Sequence, residues 1–192
     1  SLGGLLEYRR EILDPARDAL GKVAAGAVAI VNGQHTQGIT LSGALGTEFF
    51  SMGGPAVLAS SGNGGNATVT AAITDARALT GHDYLLEFAG TWQLRDTTSG
   101  ASVPLSGSGT SADPFIADGL SFIVGNAAVP GDKFRIEPTR DIVSGLRLNL
   151  NEPASVAAAS PVRASVGAGN TGSGSISPPT VTDIGNPALR ST

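Results

Sequence analysis

The first thirty residues carry apolar side chains at spacings that alternate between four and three. These positions are Leu2, Leu6, Arg9, Leu13, Ala16, Leu20, Val23, Ala27 and Ile30, of which only Arg9 is not apolar. A period near 3.5 residues that is sustained over this length indicates a helix that packs lengthwise against other helices. We therefore predict a helix packing interface formed by Leu6, Leu13, Leu20, Val23 and Ile30, with polar residues such as Asp18 and Lys22 largely on the other side.

A proline interrupts this helical pattern. Asp14 precedes Pro15, and this pair is a favourable helix start, because aspartate caps free N–H groups and proline gives up an N–H that has no partner there. We expect a kink or a restart at this point, with a short helix to Leu13 and a longer one over residues 15–34. Gly38 is the expected stop, so the predicted helical arm covers residues 1–38.

From residue 66 the hydrophobic pattern changes to a period of two, which is typical of strands. Gly90 separates two of the predicted strands by a short gap and marks a hairpin. The predicted strands cover residues 67–74, 84–88, 91–95, 103–105, 120–124, 134–137 and 146–150. Short antiparallel strands at this spacing predict a small sandwich or a barrel-like domain.

The resulting fold class is α+β, in which a long kinked amphipathic helix is followed by a small antiparallel β-sandwich or barrel-like domain. We place a Gly-rich connector with a flexible crossing point over residues 39–65, the all-β domain over 66–152, and an extended return segment with a flexible tail over 153–192. The predicted core consists of Val69, Ile73, Leu79, Tyr84, Leu86, Phe88, Trp92, Leu94, Leu120, Phe122, Val124, Phe134, Ile136, Leu146, Leu148 and Leu150.

Charge and composition exclude several functional classes. The net charge is −4 and no cluster of lysine and arginine occurs, so the chain lacks the basic face that nucleic acids and anionic membranes require. No apolar run approaches the ~18 residues of a transmembrane helix. The chain contains no cysteine, which removes thiol catalysis and thiolate metal sites.

The remaining search for chemistry yields no catalytic, cofactor-binding or metal-binding residues. His35 follows the predicted helix and His82 lies in a turn, and neither has a partner at the spacing of a metal motif. We expect both histidines to be structural or exposed. No nucleophile elbow of the G-x-S-x-G type occurs, and we expect the protein not to be an enzyme.

Several ordered motifs together resemble one known family. They are LGGLLEYR at residues 2–9, LDPA at 13–16, NGQHTQG at 32–38, FF at 49–50, DARALTGHDY at 75–84, GDKFRIEPTR at 131–140 and EPASVAAA at 152–159. The chain resembles the family of flagellar hook-associated protein 1, the first hook–filament junction protein. The resemblance reaches to about residue 180.

This resemblance implies a structural role in the bacterial flagellum. It implies a secreted, extracellular protein that joins hook to filament and serves motility, whose partners are copies of itself, the hook protein and the second junction protein. It also implies that the family's terminal helices lie outside this sequence. We therefore expect an internal fragment whose apolar stripe is completed by helices that these 192 residues do not include.

Three alternatives stay open on the sequence alone. The helix could cover the protein's own core, as amphipathic helices usually do. The β region could be an extracellular adhesin or a carbohydrate-binding module, in which Tyr84 and Trp92 would be exposed platforms rather than core residues. An enzyme is the third alternative, which the motif search does not support.

Overall fold

The computed structural model describes residues 2–162, 167, 169, 171–177, 179, 181–182 and 186. Helices come first and strands follow, which confirms the α+β class. The N-terminal helix consists of α1 (Leu2–Tyr8), a π-helical turn (Arg9–Leu13) and α2 (Asp14–Thr36). A short 3₁₀ helix (Pro153–Ser155) lies near the end of the continuously described part. The parts of the predicted tail that fall on residues 163–166, 168, 170, 178, 180, 183–185 and 187–192 lie outside the described residues.

The predicted restart at Asp14 does not occur, because the helix continues through it. Asp14 has helical backbone angles, and its N–H donates to the carbonyl of Arg9, five residues earlier. This wider turn accommodates Pro15, which has no N–H for the helical ladder. The interruption is therefore a π-helical turn within one helix, and the helix ends at Thr36, close to the expected stop.

In the described part of the chain, ten strands follow the helix. They are β1 (Phe50–Ser51), β2 (Ala56–Ala59), β3 (Thr68–Ile73), β4 (Tyr84–Phe88), β5 (Trp92–Asp96), β6 (Ser102–Val103), β7 (Phe115–Ala117), β8 (Leu120–Gly125), β9 (Lys133–Glu137) and β10 (Arg147–Leu148). A five-stranded antiparallel sheet has the order β2-β9-β4-β5-β6, a three-stranded antiparallel sheet has the order β3-β8-β7, and β1 and β10 form a two-stranded sheet. None of these sheets closes into a barrel. The hairpin at Gly90 is confirmed, since Phe88 pairs with Trp92 and Gly90 has a φ of 89°.

The five-stranded and the three-stranded sheet share one hydrophobic cluster, which contains most of the predicted core. Its buried members from the sheets and their connections are Val69, Leu79, Tyr84, Leu86, Leu94, Ala117, Leu120, Phe122, Phe134, Ile136 and Ile142. Leu148 was expected in the core and is instead 57% exposed. Ile142 is fully buried in this cluster. The sequence does not predict this, because Ile142 lies in a turn without strand periodicity.

The β region begins earlier than the predicted boundary at residue 66. β2 lies within the segment expected to be a connector, and it pairs with β9 from Ala56–Glu137 to Ala59–Phe134. The sequence of β2 is short and lacks polar alternation, which is why the period-two criterion does not detect it. β7 was missed for the same reason, since it has only three residues.

The Gly-rich crossing before β3 is held by hydrogen bonds rather than being a free linker. The carboxylate of Asp132 accepts hydrogen bonds from the N–H groups of Gly64, Gly65 and Val129 at 2.9–3.1 Å. Asn63 adds a donor and an acceptor to the backbone of Lys133. The hydrogen bond from Val129 lowers the pKa of Asp132 most, and those from Gly65 and Gly64 act in the same direction against the effect of burial.

The chain divides into two compact units. The first contains residues 1–29 and 52–147, and the second contains residues 30–51 and 148–192. Helix α2 passes from the first unit into the second. The first unit includes the five-stranded and the three-stranded sheet. The second unit includes the C-terminal end of α2, the segment that follows it to residue 51, and the C-terminal segment from residue 148.

Candidate functional site

One face of α2 is buried in the first unit, and it is not the apolar stripe. The buried face runs through Asp14, Asp18, Gly21, Ala25 and Val28, again at alternating spacings of four and three. Asp14 is partly buried, whereas Asp18 and Val28 are 5% exposed and Ala25 is inaccessible. Asp18 lies on the side away from the apolar stripe, as the sequence predicts, but it is buried there. The helix therefore turns small and charged residues inward.

Gly21 allows the closest approach of this face to the β region. A Cβ atom at Gly21 would collide with the backbone carbonyl of Thr139. The collision could be relieved only by a shift of the backbone. Because Arg140 follows Thr139, this approach brings the helix against the residue that makes the main polar contact of the unit. Only glycine fits at this position without displacing either element.

Arg140 lies at the centre of an ion cluster that joins the helix to the β region. Its guanidinium donates to both carboxylate oxygens of Asp18 at 3.2 and 2.7 Å and to Asp83 at 2.8 Å. It also pairs with Glu137 at 2.5 Å. Asp14 lies 3.9 Å from the same guanidinium. Four carboxylates from three separate parts of the chain are thus held by one cation.

A second cation supports the cluster from the side. Arg135 pairs with Asp83 at 2.7 Å and with Glu137 at 3.2 Å. Four carboxylates, those of Asp14, Asp18, Asp83 and Glu137, therefore face the guanidinium groups of Arg140 and Arg135, and Arg9 pairs with Asp14 at 3.6 Å. The formal charge of the cluster is −1 when all these groups are ionised. Such a buried cluster fixes a geometry more than it adds net stability, because desolvation offsets much of the attraction.

Burial and the excess of carboxylates change the ionisation of the cluster. Burial raises the pKa of Asp18, and the carboxylates of Asp83 and Asp14 act in the same direction against the effect of Arg140. Burial likewise raises the pKa of Glu137, again against the effect of Arg140. Burial alone would lower the pKa of Arg140, but the surrounding carboxylates raise it, so this residue keeps its charge.

The predicted packing stripe lies on the opposite face of the helix and is open to solvent. Leu6, Leu13, Leu20, Val23 and Ile30 are each between 42% and 70% exposed. At 3.6 residues per turn the centre of this stripe lies roughly 150° around the helix axis from the buried face. The helix thus does not cover the core with its apolar side, and the reading in which the stripe seals the protein's own core is wrong for this chain.

His35 has a structural role in the second unit. Its Nδ1 lies 2.5 Å from the carbonyl of Thr47, and its Nε2 accepts the N–H of Ala157 at 2.9 Å. This arrangement requires a neutral ring protonated at Nδ1. Gly38 and Gly46 leave room for Ala157, since a Cβ atom at either glycine would collide with the backbone of Ala157 or His35.

His82 and the two candidate platform aromatics are also accounted for by packing. His82 pairs with Asp96 at 2.7 Å. Burial works to raise the pKa of Asp96, but the hydrogen bonds from His82 and from the following turn prevail and lower it to about 2. Tyr84 is 1% exposed, and its hydroxyl donates to Asp118. Trp92 is partly buried against Phe88 and Phe134, with ring centroids 5.2 and 6.0 Å apart.

The described part of the chain contains no group of three or more histidine, aspartate or glutamate side chains placed to hold a metal ion. Within the same described residues, no helix has the length and apolarity needed to cross a membrane.

Comparison with known families decides the identity of the chain. Residues 1–50 match the family model described as "Flagellar hook-associated protein FlgK helical domain", and residues 58–138 match the one described as "Flagellar hook-associated protein 1, D2-like domain". The chain belongs to the flagellar hook-associated protein 1 family. The boundary between the two models falls in the segment that contains β1 and β2.

Individual members of the family agree with this assignment. The flagellar hook-associated protein 1 of Salmonella typhimurium is 33% identical over 163 residues, and that of Escherichia coli K12 is 31% identical over 161 residues. The solved structure of the flagellar hook junction protein FlgK from Burkholderia pseudomallei matches with a TM-score of 0.75 and 34% identity, over 83% of this chain. The chain spans 29% of the length of each of these three proteins. None of these comparisons supports an adhesin or a carbohydrate-binding module.

Proposed function

We propose that the chain is part of a structural, non-enzymatic subunit of the bacterial flagellum that joins hook to filament and contributes to motility. The observation that carries the proposal is the exposed apolar stripe of Leu6, Leu13, Leu20, Val23 and Ile30. It lies on the helix that matches the FlgK helical-domain model. The protein of which this chain is part is exported and extracellular under this proposal, and its partners are copies of itself, the hook protein and the second junction protein.

The stripe supports a packing function because of its size and continuity. Large apolar side chains on one helix face, sustained from Leu6 to Ile30, leave an apolar area that isolated soluble domains rarely expose. A period near 3.5 residues matches the spacing at which helices interlock lengthwise. The occupant of the stripe is therefore one or more helices of the same family's helical domain, contributed by parts of the protein beyond these 192 residues or by a neighbouring subunit.

The inward face explains how a packing helix transmits force to the β region. The Arg140 cluster and the close contact at Gly21 attach the helix to the sheets on the face away from the stripe. A load applied to the stripe by neighbouring helices therefore reaches the β region through fixed contacts rather than through a linker. A junction subunit requires both contacts, because one helix face binds the neighbouring helices and the opposite face holds the β region.

The test is a charge placed in the stripe of the complete protein. Leu13→Asp or Leu20→Asp introduces an unpaired carboxylate into the packed helices, which costs several kcal/mol. Either substitution should therefore abolish filament attachment and motility. Ala29→Asp is the matched control, because Ala29 is exposed on the same helix but away from the stripe. Normal swimming of the Leu13 and Leu20 variants, at normal protein levels, would contradict the proposal.

A further inference from the structure

The first unit also contains a groove of about 1070 Å³, which we call the helix–sheet groove. One wall is the flank of the N-terminal helix, represented by Pro15, Ala19, Lys22 and Val23. The other wall is the outer face of the larger sheet, represented by Leu85 and Arg135. From Arg10 to Val23 the groove follows the helix for roughly 20 Å at 1.5 Å per residue.

The helix wall of the groove is apolar in one row and charged in the next. Pro15, Ala19 and Val23 are spaced four residues apart and therefore align along the helix. Val23 also belongs to the exposed stripe, so the groove is continuous with the proposed packing surface. A segment that packs on the stripe can thus be followed, around the helix, by a second segment in the groove.

The sheet wall alternates apolar and cationic side chains. The strand register places Leu58 opposite Arg135, Arg135 opposite Leu85, and Leu85 opposite Arg95, so that all four lie in one row on the same face. Leu58 is half exposed, and Arg95 is exposed. This row gives the wall apolar contact area separated by positive charges.

The charges that the groove shows to solvent are positive, although the chain as a whole carries −4. The three carboxylates that line the groove, Asp14, Asp18 and Asp83, have side chains no more than 14% exposed and already pair with Arg140. Among the residues that the structure describes, Lys22 and Arg95 make no ion pair. Their polar contacts are with the backbone carbonyls of Thr80 and Gly100. One unpaired cation, Lys22, thus lines the groove, and a second, Arg95, lies next to the lining residue Leu85 on the same face of the sheet.

The groove also restricts the backbone of its occupant. It presents the face of the sheet rather than an edge, so an extended segment would find no free ladder of backbone groups with which to pair. A helix satisfies its own backbone hydrogen bonds and can lie along another helix. The groove is also at the upper end of the size range of small-molecule sites and open along its length.

We propose that the helix–sheet groove binds an amphipathic helix whose apolar stripe is flanked by aspartate or glutamate side chains. The apolar stripe of this helix packs on Val23, Ala19 and Leu85, and its carboxylates pair with Lys22 and Arg95. The proposal rests on the proposed function, since the helix belongs to the assembled junction, but it concerns a different surface from the outward stripe.

The experiment is site-specific photo-cross-linking in the complete protein within assembled flagella. A benzophenone side chain replaces Leu85 in the groove, Leu20 in the stripe, or Thr70 on the exposed face of the smaller sheet. The cross-linked peptides are identified by mass spectrometry. Leu85 is expected to yield a helical peptide with apolar residues at spacings of three and four and at least one acidic residue beside them, whereas Thr70 should not yield this peptide.

Charge reversal then tests the recognition itself. Lys22→Glu combined with Arg95→Glu should lower the cross-link yield at position 85 at least fivefold and leave the yield at position 20 unchanged. Arg77→Glu is the control, because Arg77 is exposed elsewhere on the unit. Both Lys22 and Arg95 are exposed, and an unchanged thermal melt of the 192-residue chain shows that the reversal does not unfold it.

The outcomes separate the two proposals. Cross-links from position 20 without any from position 85 overturn the groove proposal and leave the structural function intact. The groove proposal is also overturned if the peptide captured at position 85 carries basic residues. It is likewise overturned if this peptide contains residue 85 of a second copy of the chain. Absence of cross-links from both positions contradicts the proposed function as well.

Discussion

The two faces of the N-terminal helix have the same spacing and opposite chemistry. The inward face repeats at intervals of four and three through Asp14, Asp18, Gly21 and Ala25, which are small or charged and mostly buried. The outward face repeats in the same way through large apolar residues such as Leu20, which are exposed. Burial on this helix therefore follows specific partners rather than hydrophobicity.

The difference shows what each face is for. The inward face is completed by residues of the same chain, since Arg140 lies 122 positions from Asp18 and meets it with two hydrogen bonds. The outward face is not completed by any described part of the chain. A helix that attaches to its own domain through charges and close backbone contact keeps its apolar side available for other helices.

The largest expected effect comes from removing the central cation of the inward face. Arg140→Met leaves four carboxylates with the more exposed guanidinium groups of Arg135 and Arg9, and the free energy of unfolding should fall by about 3–5 kcal/mol, as for other broken buried ion pairs. Urea denaturation followed by circular dichroism measures the change. Arg77→Met, at a side chain that is 87% exposed, should change it by no more than about 0.5 kcal/mol. Equal stability of the two variants would show that the cluster does not hold the helix.

A smaller effect is expected at the close approach of the inward face. Gly21→Ala places a methyl group against the Thr139 carbonyl and should destabilise the chain by about 1–3 kcal/mol. Gly26→Ala has open space around its new methyl group and should stabilise the helix by up to ~1 kcal/mol. Differential scanning calorimetry of both variants gives the comparison. A stabilising Gly21→Ala would mean that the helix is not held this closely.

The pH dependence of stability should have opposite signs at two carboxyl groups. The raised pKa of Asp18 means that protonation favours the folded state. Its contribution is therefore fully present below the unfolded value near 3.8 and is lost as the pH rises through the raised pKa. Asp96 has its pKa lowered to about 2, so its contribution is present above 3.8 and is lost as the pH falls towards 2.

Two isosteric amides test this reversal in urea titrations between about pH 2 and pH 8. Relative to the wild type, Asp18→Asn should lose less stability as the pH rises above about 4, because the group that becomes charged has been removed. Asp96→Asn should instead lose less stability as the pH falls from about 4 to 2. Parallel stability curves for the wild type and Asp18→Asn would contradict a raised pKa in the ion cluster.

The smallest effect on stability is expected on the outward face. Leu20→Asp in the 192-residue chain should change the free energy of unfolding by no more than about 0.5 kcal/mol, because the side chain already lies in water. The same substitution should abolish attachment in the complete protein. A loss of several kcal/mol in the isolated chain would show that the stripe packs within it after all.

The sequence predicts those features that depend on local periodicity. The strands that contain Tyr84, Leu94, Leu120 and Ile136 follow alternating patterns, and these residues are buried as expected. The apolar helix stripe is equally visible as a pattern. Its exposure in this chain was expected because a period near 3.5 residues indicates packing against other helices, and the family resemblance places those helices outside the sequence.

The inward face is not predictable from local patterns. A charged residue such as Asp18 is indistinguishable from a solvated one until Arg140 and Asp83 are brought beside it by the fold. The spacing of Asp14, Asp18 and Gly21 has a helical period. A search for buried faces based on apolar residues does not detect it, because these residues are charged or lack a side chain. The π-helical turn was missed because the pair of Asp14 and a following proline fits a helix start equally well.

Under the proposed function, other helices cover the outward stripe in the assembled flagellum. Because the chain contains no cysteine, Leu20→Cys and Ala29→Cys introduce single thiols on opposite faces of one helix. Maleimide labelling rates are then measured in the 192-residue chain and in assembled flagella. The account predicts similar rates for both thiols in the chain, and in flagella a rate at position 20 at least tenfold below that at position 29. Equally rapid labelling of both positions in flagella would contradict it.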